Sequence, residues 1–304
     1  MKLFVGLVLL VAALVMFTGC SDSGNITQPE QNSLDGSSLV RPEFIDTRPA
    51  EVIERYVQNA SDAYLSERVK PENPGGGNGG GGGGGGGSEE DPNPNPAHKY
   101  AYIIGISDYE GTANDLQYCD DDAQDWRTYL MGEGFTVQMD VDQNATAANI
   151  EDGLQWLANS AVPGDEIAFI YSGHGVSYGQ SGSCLISTDM YYLTHDYAME
   201  FVSAANCSKK MIAIDACEIG DFHDNSEPGM YIATASDRSY SYDGEAWMEN
   251  GVWTYYYIEI LEQGEVFNEN AAEYAKNEMK IWGRTYHVRV TPKNTDAYEG
   301  FFDL

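Results

Sequence analysis

The sequence predicts an α/β domain with a mostly parallel central sheet flanked by helices on both faces, preceded by a disordered tether. Three observations lead there. Short apolar runs alternate along the chain with segments of helical period. The apolar runs are nearly unbroken by polar residues, as expected of strands buried on both faces. A glycine tract within residues 71–97 separates this alternating region from everything before it.

The domain is expected over 98–304, and its elements follow in order. Lys99–Ile106 (KYAYIIGI) reads as a buried strand and Leu116–Met131 as an amphipathic helix. Phe135–Asp140 is a strand. Ala145–Asn159 is a helix, opened near Asn144 and stopped by Pro163-Gly164. Glu166–Tyr171 (EIAFIY) is a strand, Ser183–Ser187 a short one, and Tyr197–Ala205 a helix. Lys210–Asp215 (KMIAID) and Met230–Ala235 (MYIATA) are strands. Val252–Gln263 and Asn268–Trp282 are helices, with a last extended piece at Tyr286–Val290. Tyr255, Tyr256 and Tyr257 on the first of these read as packing.

Residues 1–19 are a targeting segment. Lys2 gives a basic start, and Leu3 to Phe17 form an apolar stretch of 15 residues, too short to span a bilayer. It ends Thr18-Gly19-Cys20, which resembles the lipobox of bacterial lipoproteins. That resemblance implies cleavage before Cys20 and lipidation of its sulfur, and several acyl chains hold durably at about 0.8 kcal/mol per buried CH₂. Ser21 after the cysteine favours the outer membrane or cell surface. Residues 20–97 form the tether, with an amphipathic helix at 49–69 and the Gly/Pro-rich linker at 71–97.

The chain has 304 residues, with 16 Lys+Arg against 48 Asp+Glu and a formal charge of −32. Such a surface repels phosphate backbones, which argues against nucleic acid as a partner. It suits cations or basic peptides. Besides Cys20 there are Cys119, Cys184, Cys207 and Cys217; export permits a disulfide, but no spacing assigns one. No oligomerisation surface is legible.

Two strand ends carry chemistry. In EIAFIYSGHGVS a strand stops at Ser172-Gly173-His174-Gly175, and in KMIAIDACEIG another stops at Asp215-Ala216-Cys217. Ligands in such sheets bind beyond the carboxyl ends of the strands. If the two strands are neighbours, His174 and Cys217 face each other there. A thiol is only slightly ionised at neutral pH, and a nearby imidazole activates it and later protonates the leaving amine. Gly175 and Cys217 N–H groups could form an oxyanion hole.

The segments YAYIIGISDY, DLQYCDDDAQDW, IAFIYSGHG, IAIDAC and ATAS resemble, in order and spacing, the caspase/metacaspase superfamily of cysteine peptidases. The resemblance covers about residues 98–262, and its His and Cys stand 43 positions apart. It implies a caspase-like fold and peptide-bond hydrolysis, with His174 as general base and acid and Cys217 as nucleophile. Cys119, Asp122, Ser172 and Asp215 match the substrate pocket of metacaspases. Carboxylates in a dry pocket attract a cation and reject an anion, so cleavage after Arg or Lys is expected, with basic peptides or proteins as substrates. The competing reading of Asp122 is an acidic helix start that complements the macrodipole.

The resemblance extends to calcium: no cofactor is required for the chemistry, but many metacaspases bind this ion, and Asp189, Asp196 and Asp224 fall at or near matching positions. Their alternative reading is surface acid in an acidic chain. Glu218 departs from the family pattern beside the nucleophile, where a carboxylate pointing inward would raise the thiol. The polar segment 236–250 matches a loop that often carries an activation cut, which makes Arg238, Lys209 and Lys210 candidate self-cleavage sites. The competing function is a catalytically silent lipoprotein that keeps the fold and holds basic peptides or cations.

Overall fold

Runs of seven residues with no exposed position build the centre of the molecule. In the computed structural model, which describes residues 39–40, 91–111 and 114–304, the central strands are β2 (Lys99–Gly105), β4 (Glu166–Ser172) and β8 (Lys209–Asp215). They are joined by β3 (Thr136–Val141), β9 (Met230–Thr234) and β10 (Lys293–Asp296) in a six-stranded sheet of order β10-β9-β8-β4-β2-β3. Every pairing is parallel except β10 on β9. This is the expected fold class.

Alternate residues of each strand serve opposite faces. Ala101, Ile103, Ala168, Ile170, Met211 and Ala213 share one core with Trp126, Trp253, Tyr257 and Met279. Those partners come from α1 (Cys119–Gly132), α4 (Val252–Glu262) and α5 (Asn268–Tyr286). On the other face Tyr102 lies against Gly153 of α2 (Ala147–Ser160), which packs on α3 (His195–Ala204). The Thr146 and Thr194 hydroxyls cap α2 and α3 by accepting the Asn149 and Tyr197 N–H groups. Each fully buried aliphatic or aromatic side chain contributes roughly 1.5–3 kcal/mol. The sheet is therefore a rigid base for the loops at its carboxyl end.

The predicted elements between residues 99 and 283 recur with shifts of a few residues at their ends. Four differences stand out. A second sheet of order β1-β7-β6-β5 is formed by Leu39–Val40 (β1), Gly175–Ser177 (β5), Ser183–Ile186 (β6) and Tyr192–Thr194 (β7), all antiparallel. Leu39–Val40 thus pairs with the domain rather than belonging to a free tether. Tyr286 ends α5, and the last strand is the polar Lys293–Asp296 instead of 286–290.

The fourth difference concerns residues 91–97, expected as linker. Asp91 reaches the buried ammonium of Lys209 at 2.8 Å, and Asn93 donates to the Gly164 carbonyl. A fully buried cation needs a counter-charge, and this segment supplies one. Lys209 also meets Asp303 and lies 3.6 Å from Glu166. The targeting segment, Cys20 and the helix at 49–69 lie outside the described residues. Among the described residues, no helix is long and apolar enough to cross a membrane.

Candidate active site

Parallel pairing of β4 with β8 sets Ser172 opposite Asp215 at the carboxyl ends of both strands. His174 and Cys217 each follow that matched pair by two residues. Both line one cleft of about 310 Å³, its mouth included, together with Cys119, Asp122, Ser172 and Asp215. The expected neighbourhood is thus formed.

His174 is almost wholly buried. Its Nε2 bonds the Asn114 carbonyl at 2.7 Å, a contact in which the ring nitrogen must be the donor. The proton-accepting nitrogen is then Nδ1. The backbone of Ser241 lies against Cys217: its N–H donates to Sγ at 3.3 Å, and the thiol reaches its carbonyl at 3.7 Å.

Gly175 begins β5 with no room for a side chain. A Cβ there would stand 2.4 Å from the Cys217 carbonyl oxygen. Ile186 N–H donates to the His174 carbonyl, so Gly175 and Leu185 form a non-hydrogen-bonded pair. The Gly175 N–H therefore points away from β6.

Two buried carboxylates form the floor of the cleft. Asp122 accepts from the Ser172 hydroxyl at 2.6 Å and from the Gly251 N–H at 2.9 Å. Asp215 accepts from the Ser241 hydroxyl and from both the N–H and hydroxyl of Thr254. The donors at Gly251 and Thr254 are the unsatisfied first-turn N–H groups of α4. A Cβ on Gly251 would lie 2.7 Å from Asp215 Oδ2 and 3.0 Å from Asp122 Oδ2. Only glycine lets the backbone come this close.

Burial and the Asp215 charge push the Asp122 carboxyl well above the usual range. Burial raises Asp215 to about 6, although its hydrogen bonds favour the ionised form. A third carboxylate, Asp243, lines the same cleft, and among the described residues no lysine or arginine does. Asp122 is thus a pocket wall, while its neighbour Asp120 is tied to Ser107 at 2.5 Å.

Residues 98–280 match the caspase domain model of the peptidase C14 family. The chain belongs to the caspase domain family of cysteine peptidases. Metacaspase-1 of Lodderomyces elongisporus is 38% identical over 86 residues, covering 25% of this chain and 19% of the relative. Metacaspase-4 of Arabidopsis thaliana is 30% identical over 148 residues, covering 42% of this chain and 35% of the relative. The chain thus spans little more than a third of either relative at most. Two solved structures share the fold. Protein GSU0716 from Geobacter sulfurreducens has a TM-score of 0.53 at 16% identity, covering 68% of this chain and 97% of its own. The caspase described as pro-sf-caspase-1 has a TM-score of 0.52 at 14% identity, covering 69% and 96%.

The caspase domain does not gather the three calcium candidates into a ligand set. Asp189 accepts from the Ala147 N–H at the start of α2 and from Ser187. Asp196 is exposed and bonds Asn225, next to exposed Asp224. Among the described residues no three His, Cys, Asp or Glu side chains group as metal ligands. Among the described residues Cys119, Cys184, Cys207 and Cys217 form no disulfide with one another.

Lys209 and Lys210 are buried in β8, so no peptidase reaches them without opening the central sheet. Arg238 is exposed, but its guanidinium holds Asp221 at 2.5 Å. The loop 236–250 is largely buried and supplies Ser241, Tyr242 and Asp243 to the cleft. Glu218 does not line the cleft; its carboxylate accepts from the Ser177 N–H at 3.2 Å.

Sequence reasoning missed Asn114, Tyr109, Tyr171, Ser241, Asp243 and Gly251. Asn114 and Ser241 act on the pair through backbone atoms, which leave no side-chain signature. Tyr109 and Tyr171 stand inside quoted motif segments, read there only as apolar strand and turn. Asp243 is hidden among 48 acidic residues.

Proposed function

We propose that this caspase domain is a cysteine endopeptidase that uses His174 and Cys217 and cleaves after arginine or lysine. The observation that carries the specificity is the pair of buried carboxylates, Asp122 and Asp215, in a cleft that no lysine or arginine lines among the described residues. Charges of one sign in a low-dielectric pocket select a cationic side chain and reject an acidic one by several kcal/mol.

In this reading Nδ1 of His174 takes the thiol proton, and Cys217 Sγ attacks the scissile carbonyl. The Nε2–H bond to Asn114 holds the tautomer and stabilises the imidazolium. The oxyanion forms near the Gly175 and Cys217 N–H groups. His174 returns the proton to the leaving amine, and water hydrolyses the thioester. Lipidation at Cys20 adds a membrane anchor on the cell envelope. No step is routed through calcium.

The test is hydrolysis of peptides with Arg, Lys or Asp before the cut, by wild type and Cys217→Ala, with calcium or chelator. Cleavage after Arg or Lys by wild type alone is expected. Preference for Asp, or full activity in Cys217→Ala, overturns the proposal. Tight capture of basic peptides without cleavage would instead favour a silent binding protein.

A further inference from the structure

The loop after β2 and the end of β4 each place a buried tyrosine against the His174 peptide. The His174 N–H donates to the Tyr109 hydroxyl at 2.7 Å. The one hydrogen of the Tyr171 hydroxyl is shared between the His174 carbonyl at 2.8 Å and the Ile186 carbonyl at 2.9 Å. A hydroxyl gives one hydrogen and accepts others, so Tyr109 holds the His174 N–H as an acceptor and Tyr171 holds the His174 carbonyl as a donor.

Further contacts hold the two tyrosines. Ile186 N–H donates to Tyr171 at 3.2 Å, tying it to β6. Tyr109 N–H donates to the Asp115 carboxylate. The Tyr109 ring also packs on the imidazole, with centroids 4.7 Å apart and planes at 45°. Gly173 shows how tightly the hydroxyls are set: a Cβ there would lie 2.7 Å from each of them. The loop that carries Tyr109 also supplies the Asn114 carbonyl to Nε2. Both faces of the His174 peptide, one face of its ring and one ring nitrogen are thereby fixed.

We propose that Tyr109 and Tyr171 are positioning residues, whose hydroxyls grip the N–H and the carbonyl of His174 so that Nδ1 addresses Cys217. The inference rests on the proposed pairing of these two residues. It goes beyond that pairing by assigning its alignment to two side chains that do not line the cleft. Burial raises both phenols, so they stay protonated and donate at any working pH. A histidine held in one rotamer keeps the imidazolium–thiolate pair formed, whereas a loosened one lets the thiol drift back toward its ordinary value of about 8.5.

The experiment follows alkylation of Cys217 by iodoacetamide against pH, read by the mass of its peptide, in wild type, Tyr109→Phe, Tyr171→Phe and the double variant. Asp122, Asp215, Asp243, Cys119 and Glu218, which surround the pair, are unchanged throughout. In wild type the alkylation midpoint is expected well below 8.5. Each phenylalanine should raise it by half a unit or more and lower kcat about tenfold, with KM within twofold. The double variant should lose less than the product of the two single effects, because both hydroxyls hold the same residue.

Unchanged midpoints and kcat in both singles, or a wild-type midpoint at 8.5, overturn the proposal. Alkylation needs no substrate, so failure of the proposed peptidase activity would show separately, as absent hydrolysis with a low midpoint. Should the variants not fold, nitrogen-15 shifts of His174 in Cys217→Ala decide. Protonated Nε2 with bare Nδ1 is expected, and the opposite tautomer refutes the geometry.

Discussion

Replacing Asp215 by asparagine should move stability and activity in opposite directions. Asp215 is buried beside Asp122, and its carboxyl is raised to about 6 in the fold, against about 3.9 unfolded. The native state therefore binds more protons than the unfolded chain between those two values. Stability falls as pH rises through that window and stays reduced above 6. Two pH units correspond to about 3 kcal/mol. Asparagine mimics the protonated acid, accepting from Thr254 while the Ser241 hydroxyl turns to receive its amide. At pH 8 Asp215→Asn should thus be more stable by up to about 3 kcal/mol, a rise in melting temperature of roughly 6–12 °C. The same change removes one of the three carboxylates that line the cleft. Loss of one partner of a buried charge pair is worth about 2–5 kcal/mol, so kcat/KM on arginine peptides should fall by roughly 30-fold to several thousand-fold. Calorimetry from pH 5 to 8 and peptide kinetics read both effects. A variant less stable than wild type at pH 8, or one with undiminished arginine cleavage, refutes the reasoning.

Two other changes test the frame around the cleft. Lys209→Ala strands Asp91, Asp303 and Glu166 at the far end of the sheet. It should cost about 3–5 kcal/mol, seen as a lower denaturant midpoint with cleavage specificity retained by the folded fraction. Glu218 holds φ at +55°, a left-handed conformation that costs a non-glycine residue about 1 kcal/mol. Glu218→Gly gives up only the Ser177 contact, so the melting temperature should not fall and Cys217 alkylation should stay within twofold. A tenfold loss would make Glu218 part of the machinery.

The central sheet was legible because β2, β4 and β8 are apolar on both faces, and the motif ends follow from their order. What escaped has physical reasons. β5 and β7 have three residues each, too few to show a period. β10, Lys-Asn-Thr-Asp, is a polar edge strand recognisable only by its pairing with β9. The match of Ser172 with Asp215 is a register and could only be assumed from sequence. The aspartates of the pocket were visible because a family pattern singled them out. Asp189, Asp196 and Asp224 were matched in the same way, yet the fold sends the first to the N-terminus of α2 and the others toward Asn225.

Comparison of the two ends of the sheet makes the case for a cationic substrate. At the amino end Asp91, Glu166 and Asp303 are buried or half-buried, and Lys209 and Lys99 stand among them. Even there Glu166 is raised to about 7 by burial, against the pull of both lysines. At the carboxyl end Asp122, Asp215 and Asp243 converge, no lysine or arginine among the described residues lines the cleft, and hydroxyls and the α4 N-terminus partly offset Asp122 and Asp215. Buried charge is retained where something neutralises it. The amino end carries its own cation. In the proposed reading the carboxyl end, open to solvent beside a thiol and an imidazole, receives its compensating charge with the ligand. A guanidinium or ammonium on a peptide fits that requirement, and a carboxylate does not.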